Sequence, residues 1–206
     1  MLEEEFGPDR RAMVELAAQV GRRTGELCGL RLECLEHEDV VDEAGQMRRA
    51  PVLVYDMPKV GVVGYRLPID DGTAEIIRAQ QARIAARYPG TERSALALFP
   101  APVMNPRGTK GMNVSTFDLH FRTWLDALPE LEGEDGEPYD RSKITIYSLR
   151  HSFAQRHSAH RKGRSSGRHR AVFGGRQRLS VLLAVSGQVL NGRRHGATRR
   201  PESCSG

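Results

Sequence analysis

The sequence has no long apolar run. The stretch from Val181 to Val185 falls far short of the roughly 20 apolar residues that a bilayer crossing requires, so no membrane partner is expected. The opening Met-Leu-Glu-Glu-Glu has neither the basic start nor the apolar core of a secretion signal, and the chain is expected to be cytoplasmic. Cysteine is scarce. Cys28, Cys34 and Cys204 are odd in number and unevenly placed, and although His37 lies near the first two, their spacing matches none of the familiar zinc patterns. Buried reduced thiols are the expectation, with no metal and no cofactor. Acidic residues are missing between Asp140 and Glu202, and tyrosine is missing after Tyr147.

What is present divides in two. Residues 161–206 hold 11 lysines and arginines against one acid, a balance of +10, whereas residues 1–160 hold 20 bases and 25 acids, a balance of −5. The overall +5 is therefore a basic tail on a mildly acidic body. With 39% hydrophobic residues the body can support a core, so wholesale disorder is not expected.

Periodicity and turn chemistry outline the body. Asp9 can cap a helix whose apolar positions Met13, Leu16, Ala17 and Val20 fall on one face, with Gly21 ending it. Thr24 can cap a short second helix reaching Leu30. Two β-favouring runs, residues 52–57 and 64–69, flank Pro58-Lys59-Val60-Gly61 and predict a hairpin with Lys59 near its bend. Thr73 can open a helix burying Ile76, Ile77, Ile84, Ala85 and Tyr88. After an apolar segment at 96–99 and a Pro/Gly/Asn-rich loop to 113, Ser115 can cap a helix with Phe117, Phe121, Trp124, Leu125 and Leu128 inward. Residues 133–141 are an acidic loop, Ile144 to Tyr147 are short and β-branched, and a helix is expected from about Ser148. There is no βαβ alternation, so no parallel sheet is expected. From about His160 the texture turns to Arg, Gly and Ser without periodicity.

Three segments carry possible chemistry: Gly21-Arg22-Arg23-Thr24-Gly25-Glu26-Leu27; Pro58-Lys59-Val60-Gly61 with Arg66-Leu67-Pro68-Ile69; and Tyr147-Ser148-Leu149-Arg150-His151. Arg23 lies just ahead of a helix N-terminus, where backbone N–H groups favour an anion. Lys59 lies on an exposed bend, and Arg150 falls in the first turn of a helix. Each alone is an ordinary surface charge. Two guanidiniums and an ammonium brought together would grip a phosphate, because arginine offers a two-pronged donor and lysine a proton.

In order, spacing and flanking residues, the three segments resemble the catalytic domain of the tyrosine recombinases (the phage integrase family) over roughly residues 9–157. In that family a Thr-Gly-x-Arg-x-x-Glu-Leu segment carries the first catalytic arginine, a role that falls to Arg23. A hairpin carries the catalytic lysine, here Lys59. A His-x-Leu-Arg-His segment carries the second arginine, here Arg150 beside His151, with Tyr147 in the place of the first histidine as a possible phosphate contact. The resemblance implies an α+β, mainly helical fold with a small antiparallel sheet, and double-stranded DNA rather than a small molecule as partner. It also implies integration or recombination through a 3′-phosphotyrosyl link. The arginines neutralise the scissile phosphate and the lysine protonates the departing 5′ oxygen.

The chain departs from that pattern at three places. Tyr147 replaces a histidine. No tyrosine follows Arg150, so the family's nucleophile has no counterpart, and Tyr147 precedes the arginine that the nucleophile should follow. The family's N-terminal clamp domain has no counterpart either. The expected organisation is an incomplete catalytic domain over 1–160 and a basic tail over 161–206. Two readings account for the tail: a frameshift near codon 160 of a GC-rich gene, or an authentic disordered DNA-binding extension. An active recombinase would need the missing hydroxyl from an intact recombinase subunit. The alternatives are a non-catalytic DNA-binding remnant, a pseudogene product, or an unrelated interaction module.

Overall fold

The first helix, α1 (Pro8–Val20), begins one residue before Asp9. The expected cap is thus corrected: Gly7 is the N-cap, Pro8 supplies its preset φ in the first turn, and Asp9 sits inside that turn. Its carboxylate accepts from Arg87 Nη1 at 2.6 Å. The computed structural model describes residues 7–41, 45–128, 138 and 140–162, with side chains in the last helix as far as Gln155.

The described elements run α1, α2 (Thr24–Cys28), β1 (Leu35–Val41), β2 (Met47–Met57), a 3-10 turn (Pro58–Val60), β3 (Val62–Pro68) and α3 (Asp71–Arg87). A 3-10 turn (Arg93–Ala95), α4 (Val114–Ala127), a 3-10 turn (Arg141–Lys143) and α5 (Ile146–Lys162) follow. The class is α+β, with one antiparallel sheet in the order β1-β2-β3. The expected hairpin is β2–β3. Strand β1 was not foreseen, because Leu-Glu-His-Glu-Asp-Val-Val is rich in residues of low β propensity. It forms because pairing with β2 from Leu35↔Leu53 to Val41↔Met47 satisfies its backbone.

Other helix starts move for a common reason. Asp70, not Thr73, caps α3, its carboxylate accepting from the Thr73 amide and hydroxyl, both at 2.8 Å. Asn113, not Ser115, caps α4, accepting from the Ser115 amide at 2.8 Å. In both cases an Asx side chain two or three residues upstream reaches the free N–H before the hydroxyl residue can. Helix α2 has Arg23 rather than Thr24 as its N-cap and stops at Cys28, short of Leu30. Helix α5 begins at Ile146 rather than Ser148, so Tyr147 is helical. Helix α5 passes through His160 and ends at Lys162. The tail from 163 and most of the acidic loop lie outside the described residues.

Helix α1 is the centre of the packing. Met13, Leu16, Ala17 and Val20 are buried as expected, and Ala12, Val14 and Ala18 are buried too, because α3, α4 and α5 all pack against it. The same core takes in Leu27, Leu30, Leu32, Leu53, Ile77, Phe99, Phe117 and Phe121. Glu15 is buried with its charge matched by Arg11 at 3.0 Å.

Cys28 and Cys34 belong to this core as free thiols. Burial pushes both thiols up to about 12, with the Asp118 charge adding to the effect at Cys28. Because the thiolate is the reactive form, both are expected to resist iodoacetamide at pH 8 in the native protein and to react on unfolding. Peptide mapping by mass spectrometry reads this directly. Modification of either native residue at the rate of a free cysteine would contradict their placement.

Candidate functional site

Helix α1 ends on Gly21, whose backbone is left-handed at φ 60°, ψ 24° and whose N–H bonds Ala17 O at 3.1 Å. This is a conformation that glycine adopts without the Cβ penalty. It reverses the chain into Arg22 and Arg23. The Arg23 amide donates to Glu26 Oε2 at 3.1 Å and its Nη1 donates to Glu26 Oε1 at 3.0 Å. The Glu26 side chain is 4% exposed and that of Arg23 38%. A buried carboxylate therefore holds both backbone and guanidinium, and the partly exposed guanidinium keeps further donors for an anion. Helix α2 has only five residues, so the anion-attracting group here is the guanidinium rather than the helix end.

The second arginine is positioned through α4. Arg122 of α4 donates to Arg141 O at 2.8 Å and Ile144 O at 2.6 Å. Arg141 in turn donates to Asp126 O at 2.9 Å. The two arginines lash the turn before α5 to α4. At the helix start the Ser148 hydroxyl accepts from the Thr145 amide at 3.1 Å, and Ile144 and Leu149 are buried. Arg150, next to Leu149, is half-buried and has no ion-pair or hydrogen-bond partner among the described residues.

One contact joins the two halves. A Cβ on Gly21 would lie 2.3 Å from Phe153 Cδ1 and 2.9 Å from Phe153 Cβ, so the bare glycine backbone is the surface on which the Phe153 ring rests. Arg23 follows Gly21 by two residues and Arg150 precedes Phe153 by one helical turn. The turn that leads into Arg23 thus packs on α5 about one turn beyond Arg150. No family model, curated protein or solved structure matches this chain.

Lys59 is placed differently. It is exposed on the 3-10 turn at the hairpin tip, and among the described residues no hydrogen bond or ion pair joins it to Arg23 or Arg150. Its link to them is indirect, through the strand that carries it: Arg22 Nη1 donates to the Tyr55 hydroxyl at 2.8 Å. Burial raises the Tyr55 phenol above its usual range, with the Arg22 hydrogen bond and charge pulling the other way. Tyr147 is 57% exposed and meets the ring of exposed His151 edge-on, with centroids 4.7 Å apart, as residues one turn apart on a helix can. Tyr147 and Arg150, three residues apart, are likewise neighbours on that surface.

Four contributors escaped the sequence reading: Arg22, Glu26, Tyr55 and Arg122. Glu26 was reachable, since it lies three residues from Arg23, the spacing of a helix-start ion pair. Arg22, Tyr55 and Arg122 gave no local signal, because their partners are distant in sequence.

Proposed function

We propose that this chain contains the phosphate-gripping part of a tyrosine-recombinase catalytic domain and binds the backbone of double-stranded DNA through Arg23, Arg150 and Lys59. The observation that carries the reading is the Gly21–Phe153 contact, which supports a shared site for two arginine segments distant in sequence. Arg150, half-buried and without an ion-pair or hydrogen-bond partner among the described residues, keeps its donors available for an anion.

In this reading Arg23 and Arg150 neutralise the non-bridging oxygens of a phosphodiester as charge builds there, and Lys59 protonates the departing 5′ oxygen. The attacking hydroxyl, which would form the 3′-phosphotyrosyl bond, is not found after Arg150 in these 206 residues. An intact recombinase subunit would supply it. Without one, the same residues bind DNA and do not cut it. That second reading, a non-catalytic DNA-binding remnant, is favoured by the same missing tyrosine.

The test is to mix the chain with duplex DNA at low and rising salt, with and without a complete recombinase. Alone, it is expected to bind with affinity falling steeply with salt, about 0.9 log unit per log unit of salt for each phosphate neutralised. No covalent protein–DNA adduct should survive denaturation. An adduct formed by the chain alone would overturn the assignment of a missing nucleophile. Failure to bind at low salt would overturn the DNA reading altogether.

A further inference from the structure

We propose that the Arg22–Tyr55 hydrogen bond is the pin that sets the Lys59 arm against the Arg23 turn, making Arg22 and Tyr55 positioning residues for Lys59. The inference rests on the DNA-binding reading above and identifies how one of its contacts is aimed.

The arm beyond Tyr55 is stiff in itself. Pro58 limits one backbone angle, and Gly61, at φ 69°, donates its N–H to Pro58 O at 3.3 Å. The Gly64 N–H donates to Asp56 Oδ1 at 2.8 Å, closing the two strands across the tip. The arm is also bare. From Pro58 through Arg66 every residue is exposed, Val63 at 83% and Val60 at 58%. At its base Arg66 pairs with Glu36 and Glu38 of β1, ion pairs open to solvent and therefore weak, and the stiff tip beyond them moves as one body about its root.

The root is Tyr55. It is 4% exposed, stands opposite Tyr65 in the β2–β3 register, and packs edge-on to that ring at 5.5 Å. Just beyond it the register shifts, between Tyr55 and Met57, where a bulge bends a strand most readily. Half-buried Met57 also touches the core, but an apolar contact has no preferred direction. Beside the backbone bond from Val54 N–H to Cys34 O at 2.8 Å, the directional side-chain contact at the root is the hydroxyl held by Arg22 Nη1 at 2.8 Å, with Arg22 Nε bonded to Val20 O at 3.1 Å. Arg22 is thereby fixed to the end of α1, and its chain neighbour Arg23 is fixed by Glu26. One hydrogen bond thus relates the arm's angle to the first arginine.

The experiment is a double-variant cycle on binding of the full chain to a short duplex, read by fluorescence anisotropy across a salt series. Lys59→Ala is expected to weaken binding several-fold and to flatten the salt slope by about 0.9. Tyr55→Phe removes only the hydroxyl, keeps every charge, and is expected to lose most of the same affinity and slope with little change in Tm. The combined Tyr55→Phe/Lys59→Ala variant is then expected to bind no worse than Lys59→Ala. Arg22→Gln removes the pin from the other side and should abolish the effect of Lys59→Ala in the same way. Losses that multiply in the combined variant, or wild-type binding by Tyr55→Phe, would overturn the pin while leaving DNA binding intact. No binding by the wild-type chain would instead overturn the DNA reading on which it rests.

Discussion

Gly21→Ala is expected to destabilise the protein by about 3 kcal/mol, a fall of roughly 10 °C in Tm. Two penalties combine. The left-handed backbone at φ 60° costs an alanine about 1 kcal/mol or more. The new Cβ would also meet Phe153 at Cδ1, Cγ and Cβ, at 2.3, 2.5 and 2.9 Å. Because the clash reaches the root of the side chain, a swing of the ring does not relieve it, and α5 has to move from α1 at a further cost of about 1–3 kcal/mol. A thermal melt followed by circular dichroism gives the answer. A Tm within a degree or two of wild type would mean that α5 does not rest on Gly21, and the shared position of Arg23 and Arg150 would lose its support.

The second large effect concerns those arginines. Arg150→Ala is expected to weaken duplex binding by about ten- to a hundredfold and to reduce the salt slope by about 0.9, because a charge-assisted contact to phosphate contributes about 1.5–3 kcal/mol. Since Arg150 has no partner among the described residues, its loss should leave Tm nearly unchanged. Arg23→Ala should weaken binding similarly but also lower Tm, because it strands the Glu26 carboxylate, 4% exposed, without its cation. The guanidinium's own exposure keeps that stability loss modest. The contrast between the two variants separates a free ligand-binding arginine from one that is also structural. Binding unchanged in both would assign all DNA affinity to the +10 charge of residues 161–206 and remove the site.

Much of the fold can be read locally. The helical periodicity of Met13, Leu16, Ala17 and Val20, the terminator Gly21 and the hairpin around Lys59 each depend on neighbours a few residues away. Where the reading slipped, a competitor lay just upstream: Asp70 ahead of Thr73 and Asn113 ahead of Ser115. Strand β1 escaped because its acids conceal a pairing that only β2 supplies. The candidate site was legible as residue types in order, but not as geometry.

Composition, periodicity and turn chemistry by themselves determined the mixed α and β character, most of the elements and the charge division near residue 160, while the resemblance of their segments to a known family singled out Arg23, Lys59 and Arg150 as candidates. Only the tertiary structure decided that Arg22 reaches Tyr55 while Arg23 turns to Glu26, that Arg122 secures the entry to α5, and that Gly21 lies against Phe153. The reason is physical. Propensity and capping act over a turn or two of chain, whereas these contacts form between elements far apart in sequence, and which side chains meet is settled only when the shared core closes around α1.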